Sequence, residues 1–155
     1  MPISLHFLEL PELESLYADN TTVGELALVE GALPPLFLLE AAVAALKEGK
    51  RPLWHSFALF VLPDQHCAVG SGGFMGPPSN RRVELGYGVA ESQWGKGFAT
   101  EGVFALLASA FAEPDIAEVY AESAVANIAS QRVLQKAGFR NIGQSNPTLA
   151  HKTHQ

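Results

Sequence analysis

The stretch Asn127-Ile128-Ala129-Ser130-Gln131-Arg132-Val133-Leu134-Gln135-Lys136-Ala137-Gly138-Phe139 decides how this chain reads. Asn127 is a residue type that caps a helix, and one turn of helix brings Ser130 back beside it. Val133, Leu134 and Ala137 supply an apolar face, and Gly138 offers a left-handed stop. Taken alone, this is a short amphipathic helix. Upstream, Trp94-Gly95-Lys96-Gly97-Phe98-Ala99-Thr100-Glu101 is a glycine-rich loop opening straight into another helix. Val103, Leu106, Leu107, Ala110 and Phe111 then recur at helical spacing to about Ala112.

A glycine loop before a helix leaves backbone N–H groups unpaired and clear of side chains. Those donors and the positive end of the helix dipole suit a pyrophosphate, with ~0.3–1 kcal/mol gained by a surface charge there. Lys96 adds a cation. Two other phosphate motifs fail: the P-loop needs Ser or Thr after its Lys, and Gly97 follows Lys96 here. The dinucleotide fingerprint lacks its third glycine, because Gly86-Tyr87-Gly88 continues as Val89-Ala90-Glu91. A purely structural glycine turn remains the bland alternative.

The bulk composition narrows the class. A chain of 155 residues fits one domain spanning 1–155, with roughly 70% of its unfolded surface buried on folding. With 48% hydrophobic and 17% charged residues it reads as a compact soluble protein, not a disordered one. Leu33 to Leu46 is the most apolar stretch, but Pro34, Pro35 and Glu40 interrupt it, so no membrane span is expected. The first residues lack a basic segment followed by an apolar run, and Cys67 is the sole cysteine, so a reducing, cytoplasmic setting is expected. A net charge of −6 argues against a nucleic-acid partner and suits a cationic amine. His151 and His154 have no Cys, Asp or Glu beside them, so no metal is expected and the two read as a frayed polar tail.

Periodicity orders the remaining elements. Ile3–Leu10 reads as a strand, Pro11 starts a helix to about Asn20, and Thr21-Thr22 cap a second helical stretch toward Gly31. A third helix runs from Pro34-Pro35 to near Gly49. Strands are expected over Leu53–Leu62, Cys67–Phe74 and Arg82–Val89, with turns at Pro63–His66 and Gly76–Asn80. Glu113-Pro114-Asp115 breaks the helix after the glycine loop, Ile116–Ser123 is a strand, and Phe139–Gln144 begins a last strand or hairpin. This is a mixed α/β domain, antiparallel early with a parallel crossover late. Glycine within a strand often marks a bulge, and Gly86 and Gly88 make a bulge the expectation for the strand that carries them.

Together the Trp94 loop and the Asn127 helix resemble the acetyl-coenzyme A site of the GNAT superfamily of N-acetyltransferases. Gly97 and Ala99 align with the last two positions of the family's loop pattern, which puts Trp94 where Gln or Arg usually stands. Trp at that position resembles the branch of the RimJ and RimL ribosomal-protein acetyltransferases. The likeness covers about Val83 to Phe139. It implies a GNAT fold, with a mixed central sheet of roughly six to seven strands, splayed mid-sheet and flanked by about four helices. It also implies that Trp94, Gly95, Lys96, Gly97, Phe98, Ala99 and Thr100 wrap the pyrophosphate of acetyl-CoA. Val89 and Ala90 would pair their backbone with the pantetheine arm, and Asn127 and Ser130 would meet it from the next helix.

The reaction so implied is direct attack of a primary amine on the acetyl carbonyl, with the coenzyme thiolate leaving. It needs a base, a positioned amine, oxyanion stabilisation and an acid. Cys67 has no histidine placed to activate it and reads as an ordinary strand residue. Two carboxylates are candidate bases. Glu84 precedes the two-glycine strand end, and Glu122 stands on the strand where RimI-type members carry a carboxylate; either can instead be solvated or paired with Arg81, Arg82 or Arg132. At position 134, where many members carry an acid tyrosine, this chain has Leu134. Ser130 is the nearest replacement, its other reading being a capping hydroxyl. A lysine amine with pKa near 10.4 needs roughly 4–5 kcal/mol to lose its proton at pH 7, whereas an α-amine near 7.7–8 needs only about one unit. The expected acceptor is therefore a protein N-terminal α-amine or a small-molecule amine, antibiotic or polyamine acetylation being a related alternative. A non-catalytic coenzyme A sensor is the reading of a different class. Specificity is expected from Asn20–Lys50 and Leu53–Phe74, where Trp54, Phe57, Phe74 and Tyr87 either line an apolar cleft or pack the core. An open sheet edge after Phe139 is a place where a second copy can pair as a homodimer.

Overall fold

The computed structural model describes residues 3–18, 21–144 and 148–153. In chain order the strands are β1 (Ser4–Phe7), β2 (Thr22–Val23), β3 (Leu26–Leu28), β4 (Ala58–Leu62), β5 (Cys67–Phe74), β6 (Arg82–Val89), β7 (Glu118–Ser123), β8 (Arg140–Gln144) and β9 (Thr148–Thr153). The helices are α1 (Leu10–Tyr17), α2 (Leu36–Lys47), α3 (Pro52–His55), α4 (Phe98–Phe111) and α5 (Ile128–Lys136). The strands cross the molecule in the order β1-β4-β5-β6-β7-β9-β8. Every pairing on that path is antiparallel except β6 with β7, which α4 connects as a crossover. This is the mixed α/β sheet, antiparallel early with a parallel crossover late, expected from the sequence.

Two apolar layers hold the sheet. On one face Val103, Leu106, Leu107 and Ala110 of α4, with Leu134 of α5, pack on Phe60, Val83, Leu85 and Val119. On the other, Leu13 and Leu16 of α1 and Leu39 and Ala42 of α2 cover Phe57, Leu59 and Val61. Covered on both faces, β4 is buried at every residue, so its sequence shows no alternation. Phe60 is fully buried, and glycines give its ring room. A Cβ on Gly102 of α4 would lie 2.3 Å from Phe60 Cε2, and one on Gly72 would lie 2.9 Å from Phe60 Cζ.

Four expectations need correction. Thr21 to Gly31 is not helical but holds the β2–β3 hairpin: Gly24, at φ 57°, makes the two-residue turn, and β3 then pairs parallel to the start of β5. The strand placed at Leu53 begins only at Ala58, because Pro52 opens the single helical turn of α3. The expected bulge is absent from β6, which pairs in unbroken register from Leu85↔Phe74 to Val89↔Gly70; the register shift lies instead at Phe60/Val61 of β4. His151 is not in a frayed tail. It lies in β9, which inserts between β7 and β8 and pairs with all six residues of β7. His154 lies outside the described residues.

Candidate active site

The site begins where the sheet comes apart. β6 and β7 pair only at Arg82↔Glu118, Val83↔Val119 and Glu84↔Tyr120. Beyond that, β7 stays with β9 and β6 stays with β5. Arg82 pins the closed end, ion-pairing with Glu118 and lying 4.8 Å from the centre of the Tyr120 ring.

Ladder parity says which backbone groups face the opening. Met75 N–H donates to Glu84 O and Ala90 N–H donates to Val69 O, so residues 84, 86, 88 and 90 turn their amides toward β5. Those of Tyr87 and Val89 therefore point into the gap, where no strand among the described residues meets them. A splayed regular strand thus leaves bare the N–H groups that a bulge was expected to supply. The Ala90 amide, by contrast, is already bonded to Val69 O and does not face the gap.

The loop and α4 close the end of this gap. Gly95 and Gly97 sit at φ 80° and 82°, and a Cβ on either would meet nothing within 4 Å, so the loop surface is open. Gly97 precedes α4 with no side-chain cap, and the first intrahelical bond at this end runs from Glu101 N–H to Gly97 O. The amides of Phe98, Ala99 and Thr100 are left as outward donors. Trp94 explains its own place in the loop: its indole N–H donates to Val89 O at 2.8 Å, tying the loop to the end of β6. Lys96 Nζ donates to Gln93 Oε1 at 3.2 Å and carries its charge beside these amides.

On α5 the cap is Asn127, whose Oδ1 accepts from Ser130 N–H at 3.0 Å. Ser130 Oγ is consequently not the cap. It lies 2.9 Å from the Tyr87 hydroxyl, which also reaches Ser130 O at 3.3 Å. Burial holds the Tyr87 phenol above its ordinary range, and the bond with Ser130 offsets part of that rise. Leu134 is buried in the core. A phenol thus reaches the serine from a strand, a polar contact not expected of Tyr87, for which the sequence offers cleft lining or core packing. The available signal was an aromatic set between Gly86 and Gly88 on an otherwise alternating strand.

Glu84 and Glu122 lie on the sheet face opposite Val83 and Val119. Partial burial, and then the neighbouring Glu122 charge, raise the Glu84 carboxyl above the usual carboxylate range. Neither glutamate has an ion-pair partner among the described residues, and Arg82 is taken by Glu118. Cys67 starts β5 opposite Leu62 and Ala27, three residues before Gly70, the partner of Val89, so β6 stands between it and the gap. The described residues contain no cluster of ligands able to hold a metal ion, and no helix is long and apolar enough to cross a membrane.

A cavity of about 520 Å³ opens on that same face, between the ends of β5 and β6 and the wall formed by α2 and α3. Trp54, Phe57, Phe74 and Tyr87 all line it, while Trp54, Phe57 and Phe74 are also buried, so both readings of these aromatics hold at once. Trp54 and Phe74 meet edge to face at 5.2 Å. The loop 31–35 reaches this wall because β3 has docked on β5, leaving Gly31 against Ala90.

The Acetyltransferase (GNAT) domain family matches residues 9–140, and the chain belongs to that family. A curated relative, the FsC-acetyl coenzyme A-N(2)-transacetylase of Aspergillus fumigatus, is 36% identical over 61 residues, covering 39% of this chain and 26% of the relative. The chain matches less than half the length of each such relative. A structure of AAC(6')-Ib with paromomycin and acetyl-CoA superposes with a TM-score of 0.68 at 20% identity, over 99% of this chain and 94% of that one. The ribosomal L7/L12 α-N-protein acetyltransferase RimL superposes with a TM-score of 0.70 at 16% identity, over 99% and 91%. At those identities the likeness carries the fold.

Proposed function

We propose that the chain is an acetyl-CoA-dependent N-acetyltransferase, of the RimJ/RimL-like kind, that acetylates a primary amine by direct transfer. One observation carries this reading: the uncapped first turn of α4 stands at the end of a gap in the sheet lined by the bare amides of Tyr87 and Val89. The residues present fit acetyl-CoA. Gly97, Phe98, Ala99 and Thr100 would take the pyrophosphate through main-chain donors, with Gly95 keeping the approach clear and Lys96 adding charge. Val89, tied to Trp94, and the exposed Asn127 would flank the pantetheine arm.

Acetyl-CoA supplies the acyl group and, as it leaves, a thiolate. The chain's own groups do the rest. Glu84, made more basic by burial and by Glu122, takes a proton from the amine, directly or through water. The N–H of Tyr87 or Val89 offers a fixed donor to developing oxygen charge. Ser130 Oγ would pass its proton to the leaving thiolate while taking the phenol proton of Tyr87, which solvent restores as products leave. Only one family-level feature, Leu134 in place of an acid tyrosine, favours the sensor reading, and the Tyr87–Ser130 pair answers it.

Calorimetry with coenzyme A, joined to measurement of free thiol released from acetyl-CoA over an amine panel, tests the proposal. Heat of binding with amine-dependent thiol release is expected. Binding without turnover on any amine would turn the assignment to the sensor.

A further inference from the structure

The chemistry of the cavity wall specifies more than an amine. Among the described residues that line the 520 Å³ space there is no Asp, Glu, Lys or Arg. The lining residues with a polar side-chain atom are Trp54, His55, Ser56, Ser71 and Tyr87. Ser56 Oγ already donates to Leu8 O at 2.8 Å, and Tyr87 is engaged with Ser130. One wall is a helical stripe of α2, Leu38, Ala41, Ala42 and Ala45, whose small side chains leave width between helix and sheet. The floor contains Gly86 and Gly88, and a Cβ on Gly88 would meet nothing within 4 Å.

A polyamine or aminoglycoside brings several ammonium groups. Each would enter this space without a counter-charge, and desolvating an unpaired ion costs several kcal/mol. A free amino acid has the complementary difficulty, because no Lys or Arg among the described residues lines the wall to meet its carboxylate. A lone amine on an apolar body has neither. Apolar surroundings also lower the pKa of a buried amine, so the cavity favours the uncharged nucleophile and lightens the demand on Glu84. Its volume lies within the range that encloses a small ligand.

We infer that the acceptor is a small monoamine carrying a compact apolar body, of the arylalkylamine or branched alkylamine type, and that the site discriminates against polycations. The inference rests on the acetyl-transfer reading above and narrows its acceptor.

The test is thiol release from acetyl-CoA by the whole protein, comparing 2-phenylethylamine and tryptamine with spermidine, kanamycin, phenylalanine and a peptide beginning with phenylalanine. We expect kcat/KM for the two arylalkylamines to exceed that for each other amine by at least about tenfold, a difference of ~1.4 kcal/mol. Ala41→Asp, on the exposed side of the α2 wall, should narrow that ratio against spermidine by at least about tenfold while coenzyme A binding by calorimetry stays unchanged. Preference for spermidine, kanamycin, phenylalanine or the peptide overturns the inference and leaves acetyl transfer standing. Silence with every amine, in a protein that binds coenzyme A, defeats the transfer reading itself and this inference with it.

Discussion

The hydroxyls of Tyr87 on β6 and Ser130 on α5 meet at 2.9 Å across the mouth of the sheet opening. Strand and helix thus contribute one hydrogen-bonded pair, which the proposed mechanism uses as its acid. Replacing either member should lower kcat by about 10²-fold, the lower range for a positioned acid, with coenzyme A affinity held. The double variant Tyr87→Phe/Ser130→Ala should be no slower than the worse single one, since members of a unit are not additive. Losses that multiply would show two independent roles. Steady-state kinetics with parallel calorimetry makes the comparison.

Gly97→Glu tests the anion site. At φ 82° an L-residue carries roughly 1–2 kcal/mol of backbone strain, and the new carboxylate would stand beside the phosphates. Coenzyme A affinity should fall by at least about tenfold. Lys96→Ala, which removes one screened charge, should cost only a few-fold in calorimetry.

Glu84 makes a prediction in pH. Its folded pKa is raised, so the native state holds this proton more firmly than the unfolded chain does. The group's contribution is most favourable below the unfolded carboxylate value and declines as pH rises through the raised one. Glu84→Gln should therefore gain stability relative to the parent as pH climbs from about 4 to about 8. Glu122→Gln removes the neighbouring charge and should shift the acidic limb of the kcat/KM profile to lower pH. A limb that stays fixed would remove Glu84 from the base role.

Gly102→Ala sets two effects of opposite sign against each other. Alanine within a helix ordinarily gains up to ~1 kcal/mol over glycine. Here its Cβ would lie 2.3 Å from Phe60 Cε2, in a ring that is fully buried. Overpacking at ~1–3 kcal/mol should win. The melting temperature should drop by roughly 2–10 °C, read by calorimetric scanning.

Much of the architecture was legible because local rules and tertiary demand agreed. Cys67–Phe74 and Arg82–Val89 carry clear turn signals at their borders, and both strands occur where the sequence puts them. The Trp94 loop and the Asn127 cap were readable for the same reason. Thr21–Gly31 misled because a Thr pair can cap a helix or open a hairpin; Gly24 and the free edge of β5 decide, and the second is non-local. The position of β9 inside the sheet has no local signature. Ser130 was visible as a candidate, but its partner was not, because Tyr87 and Ser130 come together only through the α4 crossover. The cavity was the least legible feature. Its apolar character belongs to four segments at once, and each alone looks like core.

The three rungs that join Arg82–Glu84 to Glu118–Tyr120, clasped by Arg82, act as a fulcrum. From there to Val89 is a lever arm of roughly 16 Å, so a turn of about 4° at the clasp parts the jaws by about 1 Å at their tips. Under the proposed activity, a long, thin nucleotide thioester would then enter and leave without any rearrangement of helices. In such an opening a guanidinium, a carboxylate and a phenol ring, all distant from the Tyr87–Ser130 pair in the strand, would set the stiffness.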